Sequence, residues 1–472
     1  MTRGIHWFRN DLRLQDNTAL NEIALRADEW LPVFIVDPRI SKDLEGSARR
    51  NHFLFDCLER LGTELAKKNV PLLIRYGHPE SVLPKLVEQT GASLLTFNVD
   101  ITPFARHRDD IVEQRVRKTG ATVIARQDHV MYAPSEVRTK TGGAYSVYTP
   151  YRRTWMKKWE DEPRLPVPCG RLKPAIPGFA RDSVPKIRTN PSSQVTRHSL
   201  PTGGEAAAHR RLDSFLSRSV VNYHIDRDRP DIDGTSRLSP YLRFGAVSVR
   251  QCFARAMAAA HAESPLEQGV GKWLDELVWR EFYSGVLEEN PRVLRESYRH
   301  DTKNISWNDN PSDFEAWCRG ETGYPIVDAG MRQLRSTGWM HNRVRMIVAS
   351  FLTKDLLIDW RKGERFFFKS LVDGDPASNN GGWQWASSTG TDAQPYFRIF
   401  NPTTQGKRWD PDGSYVRKWI PELEHVPTKS IHSPSEKEPI ASYPAPIVDH
   451  SKRRKIAIER FKMARESKTL HD

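Results

Sequence analysis

Short apolar runs alternate with amphipathic segments over the first 130 or so residues. Apolar runs suited to buried strands occupy residues 4–8, 31–36, 72–76, 93–98 and 122–126. Between them, apolar positions recur with helical spacing over residues 17–28, 49–68, 79–90 and 104–119. Strands that alternate with helices in this way build a parallel sheet covered by helices on both faces. The pattern therefore predicts a doubly wound α/β domain over residues 1–130.

The pattern changes after this domain. Residues 163–204 are rich in Pro, Ser, Thr and Arg and have poor periodicity, so we interpret residues 131–204 as an inter-domain connector. Helical periods dominate from residue 205 onward, which predicts an all-helical second domain over 205–472. Its last element is a short charged helix predicted at 451–468.

Charge and aromatic content point to an acidic partner. The chain of 472 residues carries a formal net charge of +13 and contains 14 Trp and 13 Tyr. A basic surface attracts nucleic acid, and bases stack on aromatic rings. The alternative interpretation is a basic protein without a nucleic-acid partner.

Other classes of protein are excluded by what the sequence lacks. The four cysteines have no metal-ligand spacing, so we predict no metal site and reduced thiols in a reducing compartment. No apolar run reaches the roughly 20 residues of a membrane span, and the first residues lack a signal sequence. We therefore expect a cytoplasmic protein without a membrane partner.

Two aspartates follow predicted strands. Ligands of doubly wound sheets bind outside the carboxyl ends of the strands, and Asp37 and Asp100 lie at such ends. Neither a G-x-G-x-x-G nor a P-loop motif accompanies them. Each aspartate is a candidate ligand contact; the alternative is a helix cap or turn residue.

The stretch 373–385 (DGDPASNNGGWQW) is the richest in candidate chemistry. Carboxylates and carboxamides hydrogen-bond the edges of nitrogen heterocycles, glycine permits close backbone approach, and indoles stack on planar rings. The stretch suits a large planar cofactor or a flipped base. A polar loop followed by two core tryptophans is the alternative.

Residues 234–240 (GTSRLSP) predict a turn that leads into a helix. Ser239 suits the N-cap and Pro240 the first helical position. Hydroxyls, exposed amides and Arg237 favour a phosphate or pyrophosphate, whereas plain helix capping is the alternative.

Two further helices present mixed faces. Within the helix predicted at 273–283, one face carries Glu276, Trp279, Arg280 and Tyr283. This face predicts a site for a planar polar ligand, and a solvated Glu–Arg pair is the alternative. Within 339–346, another face carries Asn342, Arg345 and Met346. Arg343 and the later Arg398 are candidates for phosphate contacts, with a solvated basic helix as the alternative.

Taken together, these motifs resemble the photolyase/cryptochrome family, and most of all bacterial class I cyclobutane pyrimidine dimer photolyases. The resemblance is carried by TSRLS at 235–239, WLDELVWREFY at 273–283, TGYPIVDA at 322–329, GWMHNRVRM at 338–346 and the stretch 373–385. The opening HWFRNDLRLQDN at 6–17 agrees as well. The resemblance extends from residue 4 to about residue 450.

This resemblance implies an N-terminal antenna domain and a helical domain that holds FAD. It also implies light-driven repair of UV-damaged DNA by a monomer that works on the chromosome. It further implies that the damaged dinucleotide is flipped from the duplex into a cavity above the flavin. Extruding a damaged pair costs less than extruding an intact one, which is one source of selectivity. Reduced flavin absorbs light and donates an electron to the dimer, the cyclobutane ring splits, and the electron returns.

The resemblance also assigns roles to residues. It implies flavin contacts from these positions: Tyr223, Thr235, Ser236, Arg237, Leu238, Ser239, Arg280, Asn342, Arg345, Asp373, Gly374, Asp375 and Asn379. Arg345 and Asp373 are expected to pair beside the isoalloxazine, and Asn379 to face flavin N5. Contacts with DNA are expected from Glu276, Trp279, Arg280, Tyr283, Asn342, Arg343 and Arg398.

Catalytic and electron-transfer roles follow from the same resemblance. Glu276 is expected to hydrogen-bond the dimer and stabilise its radical anion as charge develops. Trp279, Trp385, Met346 and Asn342 are expected to line the dimer pocket. Trp383, Trp360 and Trp307 match a wire of three tryptophans that leads from the flavin to the surface.

The antenna assignment rests on departures from the folate-type relatives. Phe104-Ala105 replaces the Asn-Glu pair of those enzymes, and residues 98–109 look more like deazaflavin-type enzymes. We therefore expect an 8-hydroxy-deazaflavin antenna held by Asp37, Asp100 and Arg243, with methenyltetrahydrofolate or FMN as alternatives. Asp275 and Pro376 also depart from the family pattern.

Three other functions compete with repair of cyclobutane dimers. A cryptochrome photoreceptor uses the same flavin, but commonly adds a long C-terminal extension and often alters the substrate pocket. A (6-4) photoproduct enzyme places histidines where this chain has Asn342 and Met346. A basic, aromatic-rich nucleic-acid binder without chemistry would carry no chromophore.

Overall fold

The N-terminal domain is built on one parallel sheet. The computed structural model describes residues 1–40, 47–185, 200–262, 266–434 and 442–466. Its strands have the order β3-β2-β1-β4-β5: β1 (Arg3–Phe8), β2 (Glu29–Val36), β3 (Leu73–Tyr76), β4 (Leu94–Asn98) and β5 (Thr122–Arg126). The intervening helices are α1 (Thr18–Arg26), α2 (Ala48–Ala66), α3 (Pro79–Thr90) and α4 (Pro103–Arg117). The predicted doubly wound α/β fold is confirmed.

Alternation along each strand decides which layer a side chain joins. Ile5 and Trp7 point to the layer formed with α3 and α4, whereas Phe8 joins the core on the other face. Asn17 caps α1 through a hydrogen bond from the Leu20 amide, and Thr102 caps α4 in the same way. These caps fix where the chain turns at the carboxyl end of the sheet.

The region after residue 204 is helical and has no β-strand in its described part. Helix α5 (Tyr148–Asp161) lies in the preceding segment. The described helices after residue 204 are α6 (Glu205–Arg218), α7 (Tyr223–Asp226), α8 (Ser239–Arg243), α9 (Val249–Ala262), α10 (Leu266–Glu289), α11 (Pro311–Arg319), α12 (Pro325–Thr337), α13 (Asn342–Ser350), α14 (Trp360–Ser370), α15 (Pro376–Ser387), α16 (Pro402–Trp409), α17 (Ser414–Trp419) and α18 (His450–Glu466). A π-helix at Phe351–Asp355 continues α13, and 3₁₀ turns lie at Pro134–Glu136, Val220–Asn222, Pro291–Leu294, His300–Thr302 and Pro421–Leu423. The predicted all-helical second domain is confirmed.

The stretch that we interpreted as a connector contains an ordered helix. Helix α5 buries Tyr151, Trp155 and Trp159 in the core that β1, α2 and α10 also share. The indole of Trp155 donates to the buried Glu281 carboxylate of α10 at 2.7 Å. Residues 186–199 lie outside the described part of the chain, as do residues 467 and 468 of the predicted last helix.

Helix α10 is the axis of the helical domain. It is 24 residues long and packs against α5, α7, α9 and α15. A second core lies between α11, α12, α13, α14 and α15 and includes Trp317, Trp360 and Trp383. The two cores bring α10, α13 and α15 together, and these helices carry most of the predicted site residues.

Four buried charges join the two domains. Arg250 of α9 donates to Asp16 at 2.9 Å and to Asp128 at 2.7 Å, and Arg13 donates to Asp128 at 2.7 Å. All four side chains are at most 6% exposed. Each carboxylate meets a guanidinium, so the charges are compensated at the domain interface.

Candidate functional site

Three distant segments meet at Asp373. Its Oδ2 accepts from the Ser239 hydroxyl at 2.6 Å and from Arg345 Nη2 at 2.9 Å. Beside it, Arg243 Nε donates to the Gly374 carbonyl at 3.0 Å. The start of α8, the first turns of α13 and the residues before α15 are therefore fixed to one another.

The predicted pairing of Arg345 with Asp373 is present, and the predicted role of Ser239 in capping is wrong. Helix α8 begins at Ser239, and the N-cap residue is Leu238. The Ser239 hydroxyl makes its bond to Asp373 instead of a backbone amide. The hydroxyl donates to a carboxylate, and such a charge-assisted bond is strong enough to orient the side chain towards Asp373.

Residues 235–237 are held from behind by a neighbouring helix. Arg211 of α6 donates to the carbonyls of Thr235 and Ser236, both at 2.8 Å. Arg237, with φ of +49°, pairs with Asp233 and lies 4.7 Å from the centroid of the Trp339 ring. The turn is thereby rigid, and its hydroxyls stay available.

The polar side chains on the mixed face of α10 bond residues of other segments. Glu276 Oε1 accepts from Arg227 Nη1 at 2.6 Å, and Arg280 donates to the His129 carbonyl at 2.7 Å. The alternative of a solvated Glu276–Arg280 pair is therefore not what the structure has. Tyr223 lies in the first turn of α7, with Arg227 5.8 Å from its ring centroid.

Aromatic rings surround the same face of α10. Trp279 stacks on Tyr148 with ring centroids 3.6 Å apart, and Tyr283 lies 5.5 Å from Trp279. A side chain at Gly381 would collide with the Tyr283 ring, so glycine is required there for α15 to approach α10. Trp385 is half-buried on α15, one turn beyond this contact.

Asn379 and Glu364 form a half-buried pair. Asn379 Nδ2 donates to the Glu364 carbonyl at 3.0 Å and to Glu364 Oε1 at 3.3 Å. Burial raises the pKa of the Glu364 carboxyl to about 7, against the opposing effect of the hydrogen bond from Asn379. The amide orientation of Asn379 is fixed, and its oxygen is directed away from Glu364.

Helix α13 presents its predicted residues at different depths. Asn342 is exposed, whereas Arg345 and Met346 are half-buried. Arg343 pairs with Asp228 at 2.6 Å and lies 4.6 Å from the centroid of the Trp409 ring, so it is not a free solvated side chain. Arg398 is exposed in the loop before α16.

Three tryptophans connect the core with the surface. Trp383 is 2% exposed and its ring lies against Gly363, one turn after the fully buried Trp360 on α14. Trp307 is half-buried and packs on the same core, next to Asn308, which bonds Leu357 before α14. All three rings therefore belong to one core or pack on it, and the electron path that the resemblance implies stays a prediction.

A cleft opens at the carboxyl end of the sheet. It has a volume of about 30 Å³ and lies where the strand order reverses, beyond β1 and β4. Its lining joins both domains: Arg9, Asn10, Asp11, Asn98, Val99, Asp100, Ile101, Thr102, Asp128, His129, Arg243, Leu287, Asp375, Pro376 and Ala377. Asp100 and Arg243 are thus brought together as predicted.

The two strand-end aspartates differ. Asp100 accepts from the Thr102 amide and from Asn10, and it lines the cleft. Asp37 accepts from both the amide and the guanidinium of Arg39 and is not among the residues that line the cleft. The turn interpretation therefore describes Asp37, while Asp100 is both a turn residue and a cleft residue.

Charged groups that line the cleft also act on Asp375, the residue at the start of α15. Asp375 caps α15 by accepting from the Ser378 amide at 2.8 Å. Burial would raise the pKa of Asp375, but Arg243 and the other nearby cations lower it overall. Burial also lowers the pKa of His129 to about 4, so this ring is neutral near pH 7.

Several residues of the site were not predicted from the sequence. Arg211, Arg227, His129, Tyr148 and Glu364 all contact predicted site residues. Only Arg227 carried a sequence signal, because it lies one helical turn after Tyr223. The others come from separate elements.

Comparison with known proteins matches most of the chain. A family model described as the FAD binding domain of DNA photolyase matches residues 273–463, and one described as DNA photolyase matches residues 4–170. The deoxyribodipyrimidine photo-lyase of Salmonella typhimurium is 42% identical over 475 residues, with 98% of each chain covered.

Two solved structures are similar throughout. A bacterial class III photolyase from Agrobacterium tumefaciens is 37% identical with a TM-score of 0.92, covering 99% of this chain and 98% of its own. An archaeal photolyase from Sulfolobus tokodaii, solved with two FAD molecules, is 34% identical with a TM-score of 0.80. The comparison covers 98% of this chain and all of the archaeal one.

Proposed function

The chain belongs to the DNA photolyase family, and we propose that it is a light-driven lyase that splits cyclobutane pyrimidine dimers in UV-damaged DNA. The observation that carries this proposal is the meeting of α8, α13 and the residues before α15 at Asp373. These segments hold the motifs that the resemblance assigns to the flavin, and Ser239 and Arg345 lie 134 and 28 residues before Asp373 in the chain.

The residues present fit FAD. Asp373 Oδ1 is buried and has no hydrogen-bond partner among the described residues, so it is ready to accept from a ligand. Gly382 has open space beside its backbone, which permits close approach of a ring. Ser236, Arg237, Arg345 and Asn379 would supply the remaining polar contacts, and the rigid turn at 235–237 suits the pyrophosphate.

Reduced FAD, when bound, supplies the light-excited electron that opens the cyclobutane ring. The protein binds and orients the reacting groups. Arg227 holds Glu276 by one oxygen, which leaves the other oxygen for a hydrogen bond to the dimer. Such a bond stabilises charge on the dimer as it develops. Trp279, Trp385 and Met346 would wall the pocket and exclude water.

Trp383, Trp360 and Trp307 are proposed to deliver electrons to oxidised FAD. The burial of Trp383 and Trp360 in one core, with the half-buried Trp307 packed on that core, supports this path. The path is needed only to prepare the reduced protein. It takes no part in each round of repair.

DNA is proposed to bind across the face that carries Glu276, Tyr283, Asn342, Arg343 and Arg398. Incubating the FAD-loaded, chemically reduced protein with a dimer-containing oligonucleotide, in light and in darkness, tests the function. We expect repair only in light. Repair at equal rates in darkness, or bound FAD without repair in light, would contradict it, and the second result would favour a photoreceptor.

The domain-interface cleft is proposed to hold an 8-hydroxy-deazaflavin antenna. Asp100 and Arg243 line it from opposite domains and offer an acceptor and a cation to an anionic chromophore. The second FAD of the Sulfolobus protein makes a flavin the main alternative. Asp37 remains a weaker candidate because Arg39 binds its carboxylate.

Reconstitution distinguishes these chromophores. Protein freed of antenna is mixed with deazaflavin, FMN or folate, and energy transfer to FAD is recorded. We expect deazaflavin uptake in the native protein and reduced uptake after Arg243→Gln. Uptake of folate alone, or of FMN alone, would contradict the deazaflavin assignment and identify that chromophore as the antenna.

We further propose that the protein acts as a monomer on chromosomal DNA in the cytoplasm. All four cysteines are free thiols, as a reducing compartment requires. Across the described residues, no helix is long and apolar enough to span a membrane, and no group of side chains is arranged to hold a metal ion. Light scattering of the purified protein tests the monomeric state.

A further inference from the structure

Tyr148 covers one face of Trp279. The two ring centroids are 3.6 Å apart and the ring planes differ by 9°, which is the closest ring pair in the described part of the chain. Trp279 also meets Phe282 edge-on at 5.6 Å and the tilted ring of Tyr283 at 5.5 Å. A base therefore reaches Trp279 only from the side that these rings leave open.

The tyrosine is itself fixed at several points. Its hydroxyl donates to the Asp275 carbonyl at 2.8 Å, and its backbone amide donates to Asp392 Oδ2 at 3.2 Å. Its side chain is buried, with the residue only 7% exposed. The ring is therefore held by both α10 and the loop that follows α15.

Asp275 has a partner in the same helix as Tyr148. Its carboxylate forms an ion pair with Arg152, one turn after Tyr148 on α5, and lies 3.7 Å from Lys272. The sequence departs from the family pattern at Asp275, and this ion pair gives the departure a structural role. It ties the start of α5 to the turn of α10 that precedes Glu276.

The loop after α15 is attached to the same segment. Thr391 donates to the Ser146 carbonyl, and Gln394 donates to the Trp385 carbonyl at 3.3 Å. Asp392 has a φ of +46°, a conformation that non-glycine residues seldom adopt without surrounding support. The segment around Tyr148 thus contacts both the Trp279 ring and the loop that bonds the Trp385 carbonyl.

From these contacts we propose that Tyr148 is a positioning residue for dimer recognition, held between α10 and the loop after α15, and that it fixes Trp279 in the orientation that accepts the damaged bases. The inference rests on the proposed repair function. A ring that is already immobile loses no rotamer freedom on binding, so its contact with the dimer yields more affinity. Undamaged DNA that remains stacked does not reach this ring and gains nothing.

The test is the ratio of affinities for dimer-containing and dimer-free oligonucleotides of the same sequence. It is measured in the dark on FAD-loaded native protein, Tyr148→Met and Tyr148→Phe. Tyr148→Met keeps most of the volume and loses the flat ring, and we expect the ratio to fall about fivefold. Tyr148→Phe keeps the stack and should restore most of the ratio.

Tyr145→Met is the matched control, because Tyr145 lies in the same segment and contacts Tyr151 and Thr154 instead of Trp279. Its ratio should equal that of the native protein. An unchanged ratio in Tyr148→Met, or a ratio that falls equally in Tyr148→Phe, overturns the inference. If Tyr148→Met does not fold, Tyr148→Leu is judged by the same criteria. A native protein that does not prefer dimers would instead overturn the proposed function.

Discussion

Single residues at the site combine tight anchoring with one free polar atom. Glu276 is anchored by Arg227, Asn379 by Glu364 and Asp373 by Arg345. Anchoring removes the cost of ordering these side chains when a ligand binds. The chemistry of each residue therefore depends on a partner that lies on another element.

Replacing Glu276 by alanine should lower repair per absorbed photon while FAD stays bound. A hydrogen bond to a charged group is worth about 1.5–3 kcal/mol, so its loss leaves the charged dimer less stable and favours return of the electron before the ring opens. The measurement is the quantum yield of repair at saturating substrate.

The control for this prediction is Glu289→Ala on the same helix. Glu289 also pairs with an arginine, Arg138, and lies 13 residues further along α10. Its quantum yield should match that of the native protein. Equal yields for native protein and Glu276→Ala would remove Glu276 from the mechanism.

Glu364→Gln should change the pH dependence of stability. Burial raises the pKa of Glu364 to about 7, so the folded protein binds a proton that the unfolded chain releases above its ordinary pKa of 4.5. The native free energy of unfolding therefore loses a contribution as pH rises from 4.5 to 7. Glutamine stays neutral and keeps an acceptor for Asn379.

We expect the glutamine variant to be more stable than the native protein by about 1–3 kcal/mol at pH 8, and equal to it at pH 4.5. Denaturant unfolding at both pH values measures this difference. A constant difference at the two pH values would show that Glu364 ionises as it does in water.

At the scale of elements, the site is made by contacts between helices that are remote in sequence. Gly381 lets α15 approach α10, and Gly363 lets the Trp383 ring lie on α14. The close contact at Gly363 places the Trp383 ring against α14, the helix that begins at Trp360. The electron path proposed here is therefore a property of the packing of α14 against α15.

Trp383→Phe should abolish photoreduction of bound oxidised FAD and leave repair by chemically reduced protein intact. Phenylalanine preserves most of the packing but is much harder to oxidise than an indole. Absorption spectra recorded during blue illumination with a thiol reductant follow the photoreduction.

Trp317→Phe is the comparison variant for the electron path. Trp317 is also fully buried and lies 6.1 Å from Trp383, but it is not in the proposed path. It should photoreduce at the native rate. Loss of photoreduction in this variant, with Trp383→Phe unaffected, would assign the path to Trp317.

Arg250→Met should destabilise the contact between the two domains. It leaves Asp16 and Asp128 buried with only Arg13 to compensate them, and an unpaired buried charge costs about 3–5 kcal/mol. A fall in the midpoint of thermal unfolding measures the effect. An unchanged midpoint would mean that water reaches the two carboxylates.

At the scale of the whole molecule, the excess of positive charge governs DNA binding. The net charge of +13 attracts DNA of any sequence, whereas the pocket around Trp279 is proposed to select damage. Arg343 is already paired with Asp228, so Arg398 is the better candidate for a direct phosphate contact.

Arg398→Gln should make DNA binding less sensitive to salt. The slope of log K against the logarithm of the salt concentration changes by about 0.9 for each phosphate contact that is lost. Titrations between low and moderate salt give the slope. Arg26→Gln removes the same charge from an exposed side chain at the end of α1 and should keep the native slope. Equal slopes for all three proteins would place Arg398 outside the interface.

The sequence by itself determined the elements and the motifs. Strand and helix periodicity predicted all five strands within two residues, because local burial patterns follow from side-chain alternation and helical spacing. The motifs at 235–239, 273–283, 338–346 and 373–385 identified the family and therefore the cofactor and the reaction. Asp373 and Arg345 were expected to pair, and they do.

Only the tertiary structure decided which side chains serve the site from outside these motifs. Arg211, His129 and Tyr148 come from elements whose local sequence carries no sign of the contact. Helix α5 lies within the stretch that we predicted to be a connector. The Ser239 hydroxyl, which we expected to cap α8, donates to Asp373. Such contacts depend on how distant helices pack, and periodicity records only that a face is buried, not what buries it.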